Sequence, residues 1–100
     1  MGKVTVLQTN ECLVLGIDGE FTFDLNRDFR DAYKTSPGKT RYTVDLGKTR
    51  YMDSAGLGML VQLREFAGGS GGQVTIKGAH GATRKILEVA NFGKLFKLDD

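Results

Sequence analysis

The chain has 100 residues, 40% of them hydrophobic and 26% charged, which is the composition of an ordinary globular protein and predicts one domain over 1–100. The 14 basic and 12 acidic residues give a net charge of +2, and a charge this small does not indicate a nucleic-acid-binding protein. The lone cysteine excludes an intramolecular disulfide, and no apolar run is long enough to cross a bilayer. With no signal-peptide pattern at its start, the sequence predicts a cytoplasmic protein without a membrane span.

The first elements predicted are two strands. Residues 4–7 form a short strand, and residues 12–17 are nearly all apolar, which favours a strand covered on both faces. Cys12 is expected to act there as a small hydrophobic residue. Gly19 and Glu20 are expected to turn the chain.

A helix is predicted over 23–34, with Thr22 or Asp24 as its cap. Its charged residues alternate in sign, which is typical of a solvated face. The buried stripe at helical spacing consists of Leu25, Phe29 and Ala32, with Tyr33 beside it.

The central feature is a serine at a strand-to-helix junction. Residues 41–46 alternate as a strand, and after Ser54 a helical pattern runs to about Ala67. Ser54 is expected at the N-cap, where its oxygen accepts a bond from a free N–H of the first turn. Because the start of a helix also attracts anions, a phosphoryl group on Ser54 would be tolerated there.

The helix after Ser54 has two faces. One carries the predicted core stripe of Leu60, Leu63 and Ala67, with Met59 and Phe66 alongside, opposite Gln62 and Glu65. At the edge of that stripe, Ser54, Leu57, Gly58 and Val61 share one face. Leu57 and Val61 either form a docking surface for a partner or pack beneath a neighbouring element; periodicity does not decide between the two.

The last third predicts a strand, a helix and a closing segment. The glycine run at 68–72 follows a helix and precedes the strand 73–77, so it is interpreted as a turn and not as a phosphate-binding loop. His80, the only histidine, is expected in a surface or capping role. Residues 94–98 form a closing strand or pack on the core. The helix over 82–90 is predicted to turn four residues inward: Ala82, Ile86, Val89 and Ala90.

A family resemblance rests on three segments. Residues 53–58, Asp-Ser-Ala-Gly-Leu-Gly, resemble the signature of STAS domains in the branch of bacterial anti-sigma factor antagonists, and Gly19-Glu20 and residues 85–92 fall where that family has comparable motifs. The alternation of strands and helices agrees with the α/β fold that the resemblance implies. That STAS fold is a small mixed β-sheet of four to five strands with helices packed mainly on one side.

The resemblance also implies a function. In that family the serine after the aspartate, here Ser54, is phosphorylated by a serine kinase that is itself the anti-sigma factor, and a PP2C-type phosphatase is the opposing partner. The unmodified protein would bind the anti-sigma factor and release the sigma factor, and phosphorylation would end binding. The expected partner-binding residues are Glu20, Thr22, Asp53, Ser54, Ala55, Gly56, Leu57, Gly58 and Val61.

Two positions depart from the family pattern. Thr22 stands where many antagonists have an acidic residue, and Ala55 replaces a second hydroxyl residue. The first change affects a position that can face the kinase, and the second leaves Ser54 as the only modifiable hydroxyl of the signature.

Catalysis is not expected, since Ser54 lacks a nucleophile-elbow sequence and no histidine motif accompanies it. No cofactor or metal-ligand pattern is visible. Two alternatives to the sigma-factor switch stay open: an accessory subunit of a lipid-transport ABC complex, and a partner-switch adaptor that is not linked to a sigma factor.

Overall fold

The structure, a computed structural model, describes residues 2–9, 11–34, 41–68 and 73–99. Its strands are β1 (Lys3–Gln8), β2 (Cys12–Phe21), β3 (Arg41–Asp45), β4 (Thr49–Met52), β5 (Val74–Lys77) and β6 (Lys97–Asp99). Its α-helices are α1 (Asn26–Lys34), α2 (Ser54–Phe66) and α3 (Gly81–Val89), and 3₁₀ turns occupy Phe23–Leu25 and Phe92–Lys94.

The strands form one six-stranded mixed sheet. Its main order is β1-β2-β3-β5-β6, with β1 antiparallel to β2 and the other neighbours parallel. The strand β4 pairs in parallel with the far end of β2. The α/β class with a mixed sheet is thus the one predicted, and β4, which the sequence pattern did not separate from the junction, brings the sheet to six strands.

The sheet is covered fully on one face. Along β2, Leu13, Leu15 and Ile17 are buried, whereas the alternate residues Cys12 and Val14 are only half-buried. The expectation that this strand is covered on both faces is therefore wrong. A continuous apolar run is typical of a strand buried on both faces of a sheet, but here the helices pack against only one face.

The strand β2 also continues further than predicted. Gly19 and Glu20 do not turn the chain; they lie within β2, at a shift of register where Gly19 takes a φ of 90°. Glycine adopts this left-handed φ without steric penalty, so the strand bends there and continues beside β4.

The segment predicted as one helix over 23–34 is the 3₁₀ turn Phe23–Leu25 followed by α1, and it packs through the predicted residues Leu25 and Phe29. Leu25, Phe29 and Tyr33 are buried, and the Phe29 ring lies 5.1 Å from Phe21 and 5.7 Å from Tyr33, centroid to centroid. Phe66 of α2 is 40% exposed, yet its ring centroid lies 5.0 Å from that of Tyr33. These rings join the helices above the sheet.

The inward face of α3 agrees with the prediction only in part, since of the four predicted residues Ile86 and Ala90 are half-buried and pack against the core. Ala82 and Val89 are exposed, Val89 by 75%, whereas Thr83 and Leu87 are buried. Thr83 tolerates burial because its hydroxyl donates to the His80 carbonyl oxygen at 2.7 Å and accepts from the His80 N–H at 3.2 Å. That exchange forms a capping box at the start of the helix.

The two alternatives left open for residues 94–98 are both realised in part: Lys97–Asp99 form a closing strand, β6, and Phe96 ahead of it is buried. The Pro-Gly pair at 37–38 predicts a turn over 35–39; this segment lies outside the described residues, as does most of the glycine run at 68–72. Among the described helices, none has the length and apolarity needed to cross a membrane.

Candidate functional site

Two neighbouring parallel strands end together and bring the candidate site residues to one edge of the sheet. Phe21, the last residue of β2, is paired with Met52, the last residue of β4. The Asp53 N–H donates to the Phe21 carbonyl oxygen at 3.4 Å. The chain following β2 and the chain entering α2 therefore leave the sheet side by side.

Asp53, not Ser54, is the N-cap of α2. Its backbone is extended, with φ −105° and ψ −176°, and its carboxylate accepts a hydrogen bond from the Gly56 N–H at 3.1 Å. The expectation that Ser54 caps the helix is wrong by one residue. An aspartate caps as well as a serine does, and here the aspartate takes the position.

Ser54 is the first residue of α2, and it is exposed. It lies at the positive end of the helix dipole, where unpaired backbone donors are concentrated. Its hydroxyl is thus accessible to another protein, and an added phosphate there would gain from the helix and be repelled by the adjacent Asp53 carboxylate.

Two glycines of the signature have different structural roles. A Cβ on Gly56 would lie 2.7 Å from Met52 Cγ and 2.8 Å from the Phe21 carbonyl oxygen, so only glycine lets α2 approach the strand ends this closely. A Cβ on Gly58 would meet nothing within 4 Å, and Gly58 is exposed. Gly56 is therefore required by packing, whereas Gly58 leaves a bare stretch of helix beside Ser54.

Leu57 and Val61 are half-buried, and both pack against the hydrophobic core. They are neither fully exposed nor fully buried, so each contributes to the core and also presents apolar surface on the face of α2 that carries Ser54. Ala55 is half-buried in the same first turn.

Two further predicted residues, Glu20 near the end of β2 and Thr22 just after it, lie near this edge. Glu20 is exposed and is paired in register with Tyr51 of β4. Thr22 occupies the N-cap position of the 3₁₀ turn, but its hydroxyl accepts no capping hydrogen bond and donates to the Asp24 carboxylate. Its carbonyl oxygen accepts from the Leu25 N–H at 3.0 Å, which starts the turn.

Two exposed aromatic residues at the same edge were not predicted as part of the site. Phe23 is 69% exposed two residues after β2 ends, and Tyr51 is 52% exposed near the end of β4. In the sequence, the one signal of this exposure was that Phe23 lies outside the helical stripe of buried residues that begins at Leu25. We use the term Ser54 surface for Glu20, Phe23, Tyr51, Ser54, Leu57, Gly58 and Val61.

His80 and Cys12 are chemically reactive residue types, and the structure gives each of them a position in the fold. His80 is the N-cap residue of α3, and its Nε2 lies 3.1 Å from the Gly47 carbonyl oxygen, which ties the β3–β4 turn to the helix start. Cys12 is half-buried on the sheet. In the described part of the chain, no group of three or more His, Cys, Asp or Glu side chains is placed to hold a metal ion.

Comparison with known sequences identifies the family. A sequence model of the family described as "Mlab, STAS domain" matches residues 4–98. A STAS-domain containing protein of Pseudomonas aeruginosa strain UCBPP-PA14 is 44% identical over 87 residues, which cover 86% of each of the two chains.

Solved structures share the fold. A protein from Thermotoga maritima, described as a putative anti-sigma factor antagonist, superimposes with a TM-score of 0.84 at 17% identity, over 97% of this chain and 86% of that one. The anti-sigma factor antagonist SpoIIAA in its unphosphorylated form gives 0.77 at 18% identity, over 98% of this chain and 88% of that one. Phosphorylated SpoIIAA, from Bacillus, gives 0.68 at 16% identity, over 96% of this chain and 90% of that one. This chain therefore belongs to the STAS domain family and has the fold found in anti-sigma factor antagonists.

Proposed function

We propose that this STAS domain is a binding protein controlled by phosphorylation of Ser54. The unmodified Ser54 surface binds a kinase-type anti-sigma factor in the cytoplasm and releases the sigma factor held by it. Phosphorylation of Ser54 by that kinase ends the binding, and a PP2C-type phosphatase restores it. The exposure of Ser54 at the start of α2 is the observation that carries this proposal.

The position of Ser54 explains how a phosphate would act without unfolding the domain. The side chain is exposed, so an added phosphate displaces no core contact, and the helix start partly offsets its charge of about −1.5 to −2. At an interface without a cationic partner, the same group is desolvated and repelled. Each ~1.4 kcal/mol of that penalty weakens binding tenfold, so a few kcal/mol make an on/off response.

The fold similarity to SpoIIAA supports this proposal, because that antagonist occurs in both an unphosphorylated and a phosphorylated form. The apolar residues around Ser54 add support of a different kind. Phe23, Tyr51 and Leu57 give the Ser54 surface the aromatic and aliphatic groups that anchor protein interfaces.

Intact-mass analysis of the protein from its native cells, with and without phosphatase treatment, tests the modification, and peptide mapping locates it. The proteins that copurify test the partner class. A kinase-type ATP-binding protein with a PP2C-type phosphatase is expected, whereas an ATPase and a permease would instead identify an accessory subunit of a transport complex.

Binding to the purified kinase-type partner then tests the switch. We expect Ser54→Ala to bind as the unmodified protein does and Ser54→Asp to bind at least about tenfold more weakly, as ~1.4 kcal/mol of repulsion requires. Ala82→Asp is the matched control, because it places the same charge at the exposed start of another helix, α3. Equal binding by Ser54→Ala and Ser54→Asp would contradict the proposal.

A further inference from the structure

The strand β1 forms an open edge of the sheet. It is the terminal strand in the order β1-β2-β3-β5-β6, and its sequence, Lys-Val-Thr-Val-Leu-Gln, contains no proline or glycine to interrupt strand pairing. Val6 is 46% exposed and Leu7 is 70% exposed. An uninterrupted outer strand with exposed apolar side chains is a template for pairing with another strand.

The register with β2 shows which backbone groups point outward. The Thr9 N–H donates to the Cys12 carbonyl oxygen at 2.9 Å, so this pair, just beyond the end of β1, is a hydrogen-bonded pair of the ladder. Hydrogen-bonded and non-bonded pairs alternate along an antiparallel ladder. With Leu7 facing Val14 and Val6 facing Leu15, Leu7 bonds to β2 and Val6 directs its N–H and C=O away from it. The same alternation turns the backbone groups of Val4 and Gln8 outward.

We propose that a second copy of this chain pairs with the β1 edge in antiparallel orientation, on a two-fold axis at Val6. Val6 then faces Val6 of the second copy, and Val4 faces Gln8, so that every outward-facing residue of β1 forms a backbone pair. On the open face of the sheet, Leu7 lies against Thr5 of the second copy. The product is one continuous sheet across two protomers.

The charges of β1 are compatible with a second copy as the occupant. Lys3 is the only charged residue of the strand, and in this register it faces Thr9 at the far end and not its own symmetry mate. No like charges therefore meet along the paired strands. The helix α1, which lies beside β1, carries charges of both signs: Arg27, Asp28, Arg30, Asp31 and Lys34.

The two-fold arrangement also removes the exposed apolar residues from water. Val6 is covered by its own symmetry mate, and Leu7 by the other protomer's strand. A single added strand pair is smaller than a standard interface of about 800 Å² per partner, so the dimer dissociates on dilution.

The dimer leaves the Ser54 surface open. The strand β1 pairs with one edge of β2, whereas β3 and β4 pair with the other edge. A partner bound at Ser54 and a second copy bound at β1 therefore lie on opposite sides of β2. This proposal does not rest on the proposed function, and it stands or fails independently of any phosphorylation.

Sedimentation velocity over a wide range of protein concentration tests the proposal. The wild type is expected to shift from monomer to dimer as its concentration rises. Val6→Lys is expected to stay monomeric, since it puts two cations together on the axis. Val89→Lys, which places the same charge at another exposed valine on α3, is expected to dimerise as the wild type does. A monomer at every concentration, a dimer that persists in Val6→Lys, or loss of the dimer in both variants would overturn the proposal.

Amide hydrogen exchange on the wild type gives a test that needs no variant. The inner amides of Thr5 and Leu7 are expected to be protected at all concentrations, whereas those of Val4, Val6 and Gln8 become protected only where the dimer forms. Concentration-dependent protection confined to β6, the other edge of the sheet, would place the interface elsewhere and contradict the proposal.

Discussion

The Asp53 carboxylate accepts a hydrogen bond from the Gly56 N–H at 3.1 Å, and this contact makes Asp53 the cap of the helix whose first residue is Ser54. The cap and the candidate phosphorylation site are thus adjacent but distinct. The contribution of the cap to stability and the proposed modification of Ser54 can therefore be tested by separate mutations.

Asp53→Ala is expected to lower the free energy of unfolding by about 1 kcal/mol, because it removes the side-chain acceptor at the N-cap. Asp53→Asn keeps an acceptor at that position and is expected to stay within a few tenths of a kcal/mol of the wild type. Urea denaturation of the three proteins measures the difference. If the alanine variant matches the wild type, the capping bond does not stabilise α2.

Gly56→Ala and Gly58→Ala are expected to change stability in opposite directions. At Gly56 the new methyl group would lie 2.8 Å from the Phe21 carbonyl oxygen, so α2 must shift, with an expected loss of about 1–3 kcal/mol. At Gly58 the methyl group meets nothing within 4 Å, and replacing a helical glycine is expected to add up to about 1 kcal/mol. Thermal and urea unfolding of both variants provide the measurement. Equal effects would show that the close contact at Gly56 is relieved without a penalty.

Phe23→Ala is expected to weaken binding of the partner at the Ser54 surface at least about fivefold, the loss of ~1 kcal/mol typical of an aromatic anchor. Because Phe23 is 69% exposed, the unfolding free energy should change little. The control is Val89→Ala, which removes a 75% exposed apolar side chain from a different part of the molecule. Calorimetric titration with the purified partner compares the two, and equal affinities would exclude Phe23 from the interface.

The decrease of the unfolding free energy at alkaline pH is expected to depend on Tyr33. Burial raises the pKa of Tyr33 above its ordinary value of 10.0, an effect larger than the lowering caused by the neighbouring Arg30 charge. The unfolded phenol therefore ionises first, and the contribution of Tyr33 to stability, complete below about pH 10, is lost as the pH rises above that value.

Tyr33→Phe tests this dependence, since it keeps the ring but removes the ionisable group. Its unfolding free energy should fall less steeply than that of the wild type between neutral pH and pH ~11, a range that brackets the ordinary tyrosine pKa. Burial also raises the pKa of Tyr42, so part of the decline is expected to remain in the variant. Identical pH profiles would show that Tyr33 is not linked to folding.

The sequence alone determined the features that depend on neighbours along the chain. Helical spacing identified Leu25 and Phe29 as the buried stripe, and the small residues from 53 to 58 located a helix start that carries a hydroxyl; the structure then showed that this hydroxyl is exposed. These features follow from the local geometry of 3.6 residues per turn and from capping chemistry within a few residues. Even there, the choice between Asp53 and Ser54 as cap was missed, because both side chains suit the position.

Only the tertiary structure decided what depends on segments distant in sequence. The pairing of Glu20 with Tyr51 and of Phe21 with Met52 turned a predicted turn into the last part of a long strand that ends together with β4. The packing of distant elements decides which face of β2 stays open and whether Val6 and Val89 are exposed. An alternating or helical sequence pattern describes one segment and does not show which other segment covers it. The sequence therefore specifies the candidate modification site, Ser54, whereas the pairing of β2 with β4 brings the strand ends beside it together.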